Sequence, residues 1–192
     1  MSGPADPGLD LTPLAAEDHV CPTCPLDYAR TSVTDAAARL AALPTEVVGA
    51  VAEVPSGVLD LRPEPEVWSV VEYVCHLRDV YVAYTIRLHR ARKETQPAVE
   101  PLLNDFRARR FRYRERQVEP VLEELAAAVR GFRDEIAATR ADEWDRVVTR
   151  LPSERRTARW LVRQALHEGL HHLADIRSVG ERAARAGGGP GR

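Results

Sequence analysis

Lysine is almost missing from this chain: Lys93 stands alone against 26 arginines. That bias, with abundant Ala, Val and Pro, suggests a GC-rich genome and says nothing direct about function. Cysteine is scarce as well. Three thiols, Cys21, Cys24 and Cys75, are too few for a disulfide framework and point instead to free thiols, metal binding or redox chemistry. Neither sign of charge dominates. A net charge of −2 gives no general pull toward nucleic acid or an anionic membrane. No apolar run approaches the ~20 residues needed to cross a bilayer. The opening MSGPADPGLD lacks the basic start and apolar core of a signal peptide. The expectation is a cytoplasmic protein with no nucleic-acid or membrane partner. Internal repeats and strand-like alternation are also missing, which leaves helices to build the fold.

What is present fits one helical domain. Apolar residues make up 44% and charged residues 29% of 192 positions, enough for a sizeable core. Residues 1–33 read as an irregular arm rich in Pro, Gly and Asp; residues 34–184 carry the helices; residues 185–192 form a flexible, glycine-rich tail. A first helix begins near Thr34 and runs to about Val54, and Pro44 must kink or split it. Ser69 and Glu72 form a capping box that opens a second helix, whose seam is Val70, Val74, Leu77, Tyr81, Tyr84 and Leu88. It ends near Lys93 to Thr95. A third begins at Glu119-Pro120, buries Val121, Leu122, Leu125, Val129, Phe132 and Ile136, and ends near Thr139. Trp144 is expected to plug the bundle end. A fourth runs from about Thr157 to Arg182 on Val162, Leu166, Gly169, Leu173 and Ile176, with Gly169 allowing a neighbouring helix to come close. Residues 96–117 make a long crossover between helices two and three. The fold class is therefore all-α: a four-helix bundle, up-down-down-up.

Three stretches carry chemistry. ALHEGLHHLADI holds His167 and His171 four apart, one turn of helix, so both can grip one cation. A third ligand must come from elsewhere, and His76 in WSVVEYVCHLRDV is the candidate. His76 lies two residues past Val74, away from the centre of its seam, so such a site sits in a side groove walled by the crossover or the arm. Asp79 and Glu168 are the candidate catalytic residues. His167-Glu168-Gly169-Leu170-His171 also fits the HExxH pattern of zinc proteases, with Glu168 as base, although that context is not a four-helix bundle. His172 points about 100° from His171 and reads as no ligand. The second stretch is His19-Val-Cys21-Pro-Thr-Cys24, a CxxC without the second pair of a zinc ribbon. It reads as a tight turn, a redox pair, or a second metal site of Cys21 and Cys24 with Cys75 or His19. The third is FRARRFRYRER, a helical segment packing its aromatics on the bundle, or an anion-binding or nucleic-acid patch, the last weakened by the near-neutral charge of the chain.

WSVVEYVCHLRDV and ALHEGLHHLADI together resemble the DinB-like superfamily, which includes mycothiol-dependent maleylpyruvate isomerases and related thiol S-transferases. The likeness covers about residues 34–182. It implies an up-down-down-up bundle and a divalent metal, zinc or nickel, on His76, His167 and His171. It also implies a small-molecule substrate, with mycothiol as co-substrate. Three readings stay open: a metal-dependent thiol S-transferase or isomerase, a metal-dependent hydrolase on the same site, and a non-enzymatic bundle that forms a homodimer.

Overall fold

A computed structural model describes residues 12–150 and 154–187 of the chain. Residues 1–11 and 188–192, with most of the expected flexible tail, lie outside the described residues. Four long helices are α1 (Val33–Ala52), α2 (Val70–Lys93), α4 (Val118–Ala137) and α5 (Ala158–Gly187), and a short α3 (Asn104–Arg110) lies in the crossover.

The helix starts follow their capping chemistry. Ser69 accepts from the Glu72 amide while Glu72 accepts from the Ser69 amide, so the expected capping box opens α2. Ser32, not Thr34, caps α1 by accepting from the Asp35 amide. Pro44 does not split α1, which continues across it. A proline inside a helix costs about 3 kcal/mol, and Leu40, Leu43 and Val47, all buried around it, supply the packing that offsets the loss.

Side-chain pairs fix the helix directions. Arg78 meets Glu124 and Arg92 meets Glu135, so α2 and α4 run parallel. Tyr81 donates to the Ala165 carbonyl while His76 lies near Glu168, so α2 and α5 run antiparallel. Leu43 faces Gly169 and Val54 faces Gly180, so α1 and α5 run parallel. The result is the expected up-down-down-up bundle. The seam residues of α2, α4 and α5 are buried as their spacing requires, except Leu122, which packs only partly buried at the edge of the core. Trp144 packs partly buried against this core.

Two features depart from the sequence reading. Val147–Arg150 and Glu154–Thr157 pair antiparallel as β1 and β2, Val147 opposite Thr157. Strands of four residues are too short to show alternation. The second departure is how firmly residues 12–32 are tied down. Arg156 donates to the Leu14 and Ala15 carbonyls, Trp160 Nε1 to the Ala15 carbonyl, and Thr157 N and Oγ1 to the Glu17 carboxylate. Tyr28 is fully buried, and its hydroxyl donates to Gln164. The arm is thus a strap over the hairpin and the first half of α5.

Gly169 sets how closely α5 approaches its neighbours. A methyl added there would lie 2.3 Å from the Tyr81 hydroxyl and 2.5 Å from Leu43 Cδ2. Both groups are buried, and the tyrosine is held by its bond to Ala165. Gly169→Ala gains about 1 kcal/mol of helix propensity and loses about 1–3 kcal/mol to overpacking. Urea denaturation should therefore show net destabilisation. Gly131→Ala, where an added methyl meets nothing within 4 Å, should instead stabilise. Equal gains at both positions would contradict the close approach at Gly169.

Candidate metal centre

One turn of α5 carries Glu168 and His172, four apart and on one face. That face looks at α2, where His76 is 3% exposed. His76 Nε2 lies 3.6 Å from Glu168 Oε2, and His172 Nε2 lies 3.2 Å from the same oxygen. The three side chains each offer a donor atom within 4.8 Å of the other two. His172 Nδ1 is 2.8 Å from Asp175, the carboxylate–histidine pairing that orients metal-binding imidazoles. Gln164 donates to Glu168 Oε1 at 2.7 Å, and Tyr28 donates to Gln164 at 2.8 Å, so the arm helps aim the carboxylate. Trp68 packs edge-on to His76, with ring centroids 5.2 Å apart.

The electrostatics follow from this crowding. Burial holds His76 below its ordinary range, although Glu168 pulls the other way. Burial also opposes charge on His172, but hydrogen bonds to Asp175 and Glu168 outweigh it and raise it to about 9. Burial would raise Glu168, yet its contacts with His172 and His76 hold it well below the usual carboxylate range. His76 Nε2 is buried with no hydrogen-bond partner. An orphaned imidazole nitrogen facing a carboxylate and a second imidazole fits a divalent cation, with a His2Glu donor set.

The next face of α5 carries His167 and His171. They converge on Cys21 and Cys24 of the arm, one donor atom from each of the four lying within 4.8 Å of the rest. Cys21 Sγ is 3.5 Å from His171 Nδ1. The CxxC sits in a knuckle closed by the Cys21 amide on the Leu26 carbonyl and the Tyr28 amide on the His19 carbonyl. Burial pushes the Cys21 thiol up, but bonds from the Cys24 backbone and from His171 outweigh it and bring it down to about 7.

The ligand set His76, His167 and His171 is therefore not one of the clusters found among the described residues. One residue of helix turns a side chain by about 100°, so His167 and His171 face the arm while Glu168 and His172 face His76. The HExxH likeness fails for the same reason: Glu168 points to a different cluster from the two histidines that bracket it. His172, set aside from the sequence, belongs to the centre. Its signal was the Glu168-to-His172 spacing, an i, i+4 pair as good as His167 and His171. The signal for the second cluster was that CxxC and HxxxH together make four ligands. Cys75 does not join it: that thiol is buried, faces the Tyr113 carbonyl at 4.0 Å, and is pushed by burial up to about 12.

Asp79 is also placed elsewhere than expected. It accepts from Arg78 and Arg107 Nε, both at 2.8 Å, and from the Tyr113 hydroxyl. Its work is to anchor the crossover on α2. Of the aromatics in FRARRFRYRER only Tyr113 is buried; Phe106 and Phe111 stay exposed.

A cleft of about 860 Å³ opens over the centre. His76 and Glu168 lie in its floor, residues 101–106 of the crossover form one wall, and residues 12–15 with His19 of the arm form the other. Arg87, Arg109 and Arg150 face the same space. The side groove expected from the position of His76 is thus present, with both of its candidate walls.

Residues 26–176 match the sequence profile of the DinB superfamily. The chain belongs to that superfamily. YfiT from Bacillus subtilis, described as a probable metal-dependent hydrolase with an unusual four-helix bundle topology, shares the fold. The match has a TM-score of 0.72 at 18% identity and covers 81% of this chain and 87% of that one. No curated protein matches the chain. Among the described residues no helix is long and apolar enough to cross a membrane.

The account of Asp79 has a measurable consequence. Arg78, Arg107 and Tyr113 hold its carboxyl below the ordinary 3.8 despite burial. A lowered carboxylate stabilises the fold fully above about pH 4 and loses that contribution as pH falls through the lowered value. Asp79→Asn should destabilise by roughly 3 kcal/mol at pH 7, flatten the acid limb of the stability profile, and leave the metal load unchanged. Loss of metal with stability intact would return Asp79 to the centre.

Proposed function

We propose that this DinB-superfamily protein is a metal-dependent enzyme that uses a low-molecular-weight thiol of the mycothiol type on an electrophilic, carboxylate-bearing small molecule. The observation that carries the reading is His76 Nε2, buried without a hydrogen-bond partner beside Glu168 in the floor of an arginine-faced cleft. His76, Glu168 and His172 would hold the cation. A divalent ion bound there lowers the pKa of a thiol or water and polarises a substrate oxygen.

The remaining work falls to the protein. Asp175 fixes the tautomer of His172, and Gln164 with Tyr28 fixes Glu168. Arg109, exposed and without an ion pair among the described residues, is placed to bind a substrate carboxylate, with Arg87 as its neighbour in the cleft. The crossover and the arm limit access of water. The size of the cleft supports two occupants, since pockets of ~300–1,000 Å³ hold a drug-sized ligand and this one lies near the top of that range. Addition of the thiol would form a carbon–sulfur bond at an activated alkene, with the electron pair and a proton passing to the carbon beside the carboxylate.

A second reading, a metal-dependent hydrolase, is favoured by the His2Glu donor set, which zinc peptidases also use, and by the description of YfiT. The two readings separate on one condition. In the first, α,β-unsaturated carboxylates are consumed only when a mycothiol-type thiol is supplied. His76→Ala and Glu168→Gln should lower that turnover at least ~100-fold, as expected when a metal ligand or its oriented charge is lost. Turnover that is unchanged with thiol withheld would sink the thiol reading, and metal-dependent cleavage of amide or ester substrates without thiol would favour the hydrolase.

A further inference from the structure

We infer that Cys21, Cys24, His167 and His171 form a second, structural zinc site that staples the arm to α5 and so builds one wall of the cleft. Four observations carry it. The donor set, two thiols from a knuckle and two imidazoles one helical turn apart, is that of tetrahedral structural zinc. The four donor atoms already lie within 4.8 Å of one another. Zn–S bonds of about 2.3 Å and Zn–N bonds of about 2.0–2.1 Å place tetrahedral ligand atoms about 3.3–3.8 Å apart; Cys21 Sγ and His171 Nδ1 are 3.5 Å apart. Both ring nitrogens of His167 are buried without a hydrogen-bond partner, and a bound cation would satisfy one of them.

The surroundings are arranged for this. His171 turns its other nitrogen toward Asp175, 3.8 Å away, so the carboxylate that orients His172 also backs a histidine of the second cluster. His19 and Tyr28, which flank the knuckle, pack on the His167 ring with centroids 5.4 and 5.8 Å away. The loop that a metal would close spans most of the chain, since Cys21 and His171 are 150 residues apart. Closing so long a loop constrains the unfolded chain strongly, as a long-range crosslink does. The site has a role distinct from chemistry in the cleft: all four of its positions are filled by protein, leaving none open to a substrate.

Protein produced with zinc and purified anaerobically should hold two equivalents of zinc per chain. Cys21→Ser with Cys24→Ser should lose one, and His76→Ala should lose the other. Cobalt(II) exchanged into wild-type protein should give a thiolate-to-cobalt charge-transfer band that persists in His76→Ala and disappears in the cysteine variant. Hydrogen exchange in residues 12–32 should speed up in the cysteine variant and not in His76→Ala. One equivalent of metal with sulfur in its ligand shell would support this site while removing the centre at His76. If the cysteine variant does not fold, X-ray absorption on wild-type zinc protein decides the matter. An average of about one sulfur per zinc is expected when both sites are filled, and about two when only this site is; a shell without sulfur, or a Cys21–Cys24 disulfide in anaerobic protein, overturns the proposal.

Discussion

Helix α5 advances about 100° per residue, and that rotation sorts its polar side chains between two walls. Residues 167 and 171 share one face, residues 168 and 172 the next. The first face meets the arm and the second meets α2. Gly169 lies on the next face round, opposite His167 and His171, and lets α5 approach α1 and α2, with Leu43 and the Tyr81 hydroxyl filling the space where a side chain would stand. A bulkier residue there would push α5 away from His76. The centre therefore depends on a packing constraint in the core as much as on its ligands.

The same rotation explains why the arm belongs to the functional architecture. With His167 and His171 turned outward, something must cover two imidazoles on a half-buried face. The knuckle at Cys21 and Cys24 does so, and the residues before it continue along the hairpin to line the cleft. On the opposite side the crossover is held by Asp79, Arg107 and Tyr113 on α2. Each wall of the cleft is anchored by polar chemistry, charge-assisted bonds on one side and thiol with imidazole on the other, while the bundle supplies the apolar base.

Much of this was legible in the residues. The capping box at Ser69 and Glu72, the seams of α2, α4 and α5, the close approach at Gly169 and the bundle topology all follow from spacing and link lengths. The hairpin was not, because strands this short leave no periodic trace. The partition of the site was harder still. A preference for paired histidines singles out His167 and His171 and passes over Glu168 and His172, although both pairs obey the same i, i+4 rule. Which face of α5 meets which neighbour is a tertiary fact, fixed by how the helix rolls in the bundle. Asp79 shows a similar limit: spacing puts it near His76, but Arg107, which it binds, comes from the crossover.

The central claim is that α5 serves two separate centres rather than one. The most direct measurement is anomalous diffraction at the zinc edge from crystals of the zinc-loaded protein. The account predicts two peaks, one among His76, Glu168 and His172, the other among Cys21, Cys24, His167 and His171. A single peak shared by His76, His167 and His171 would contradict it.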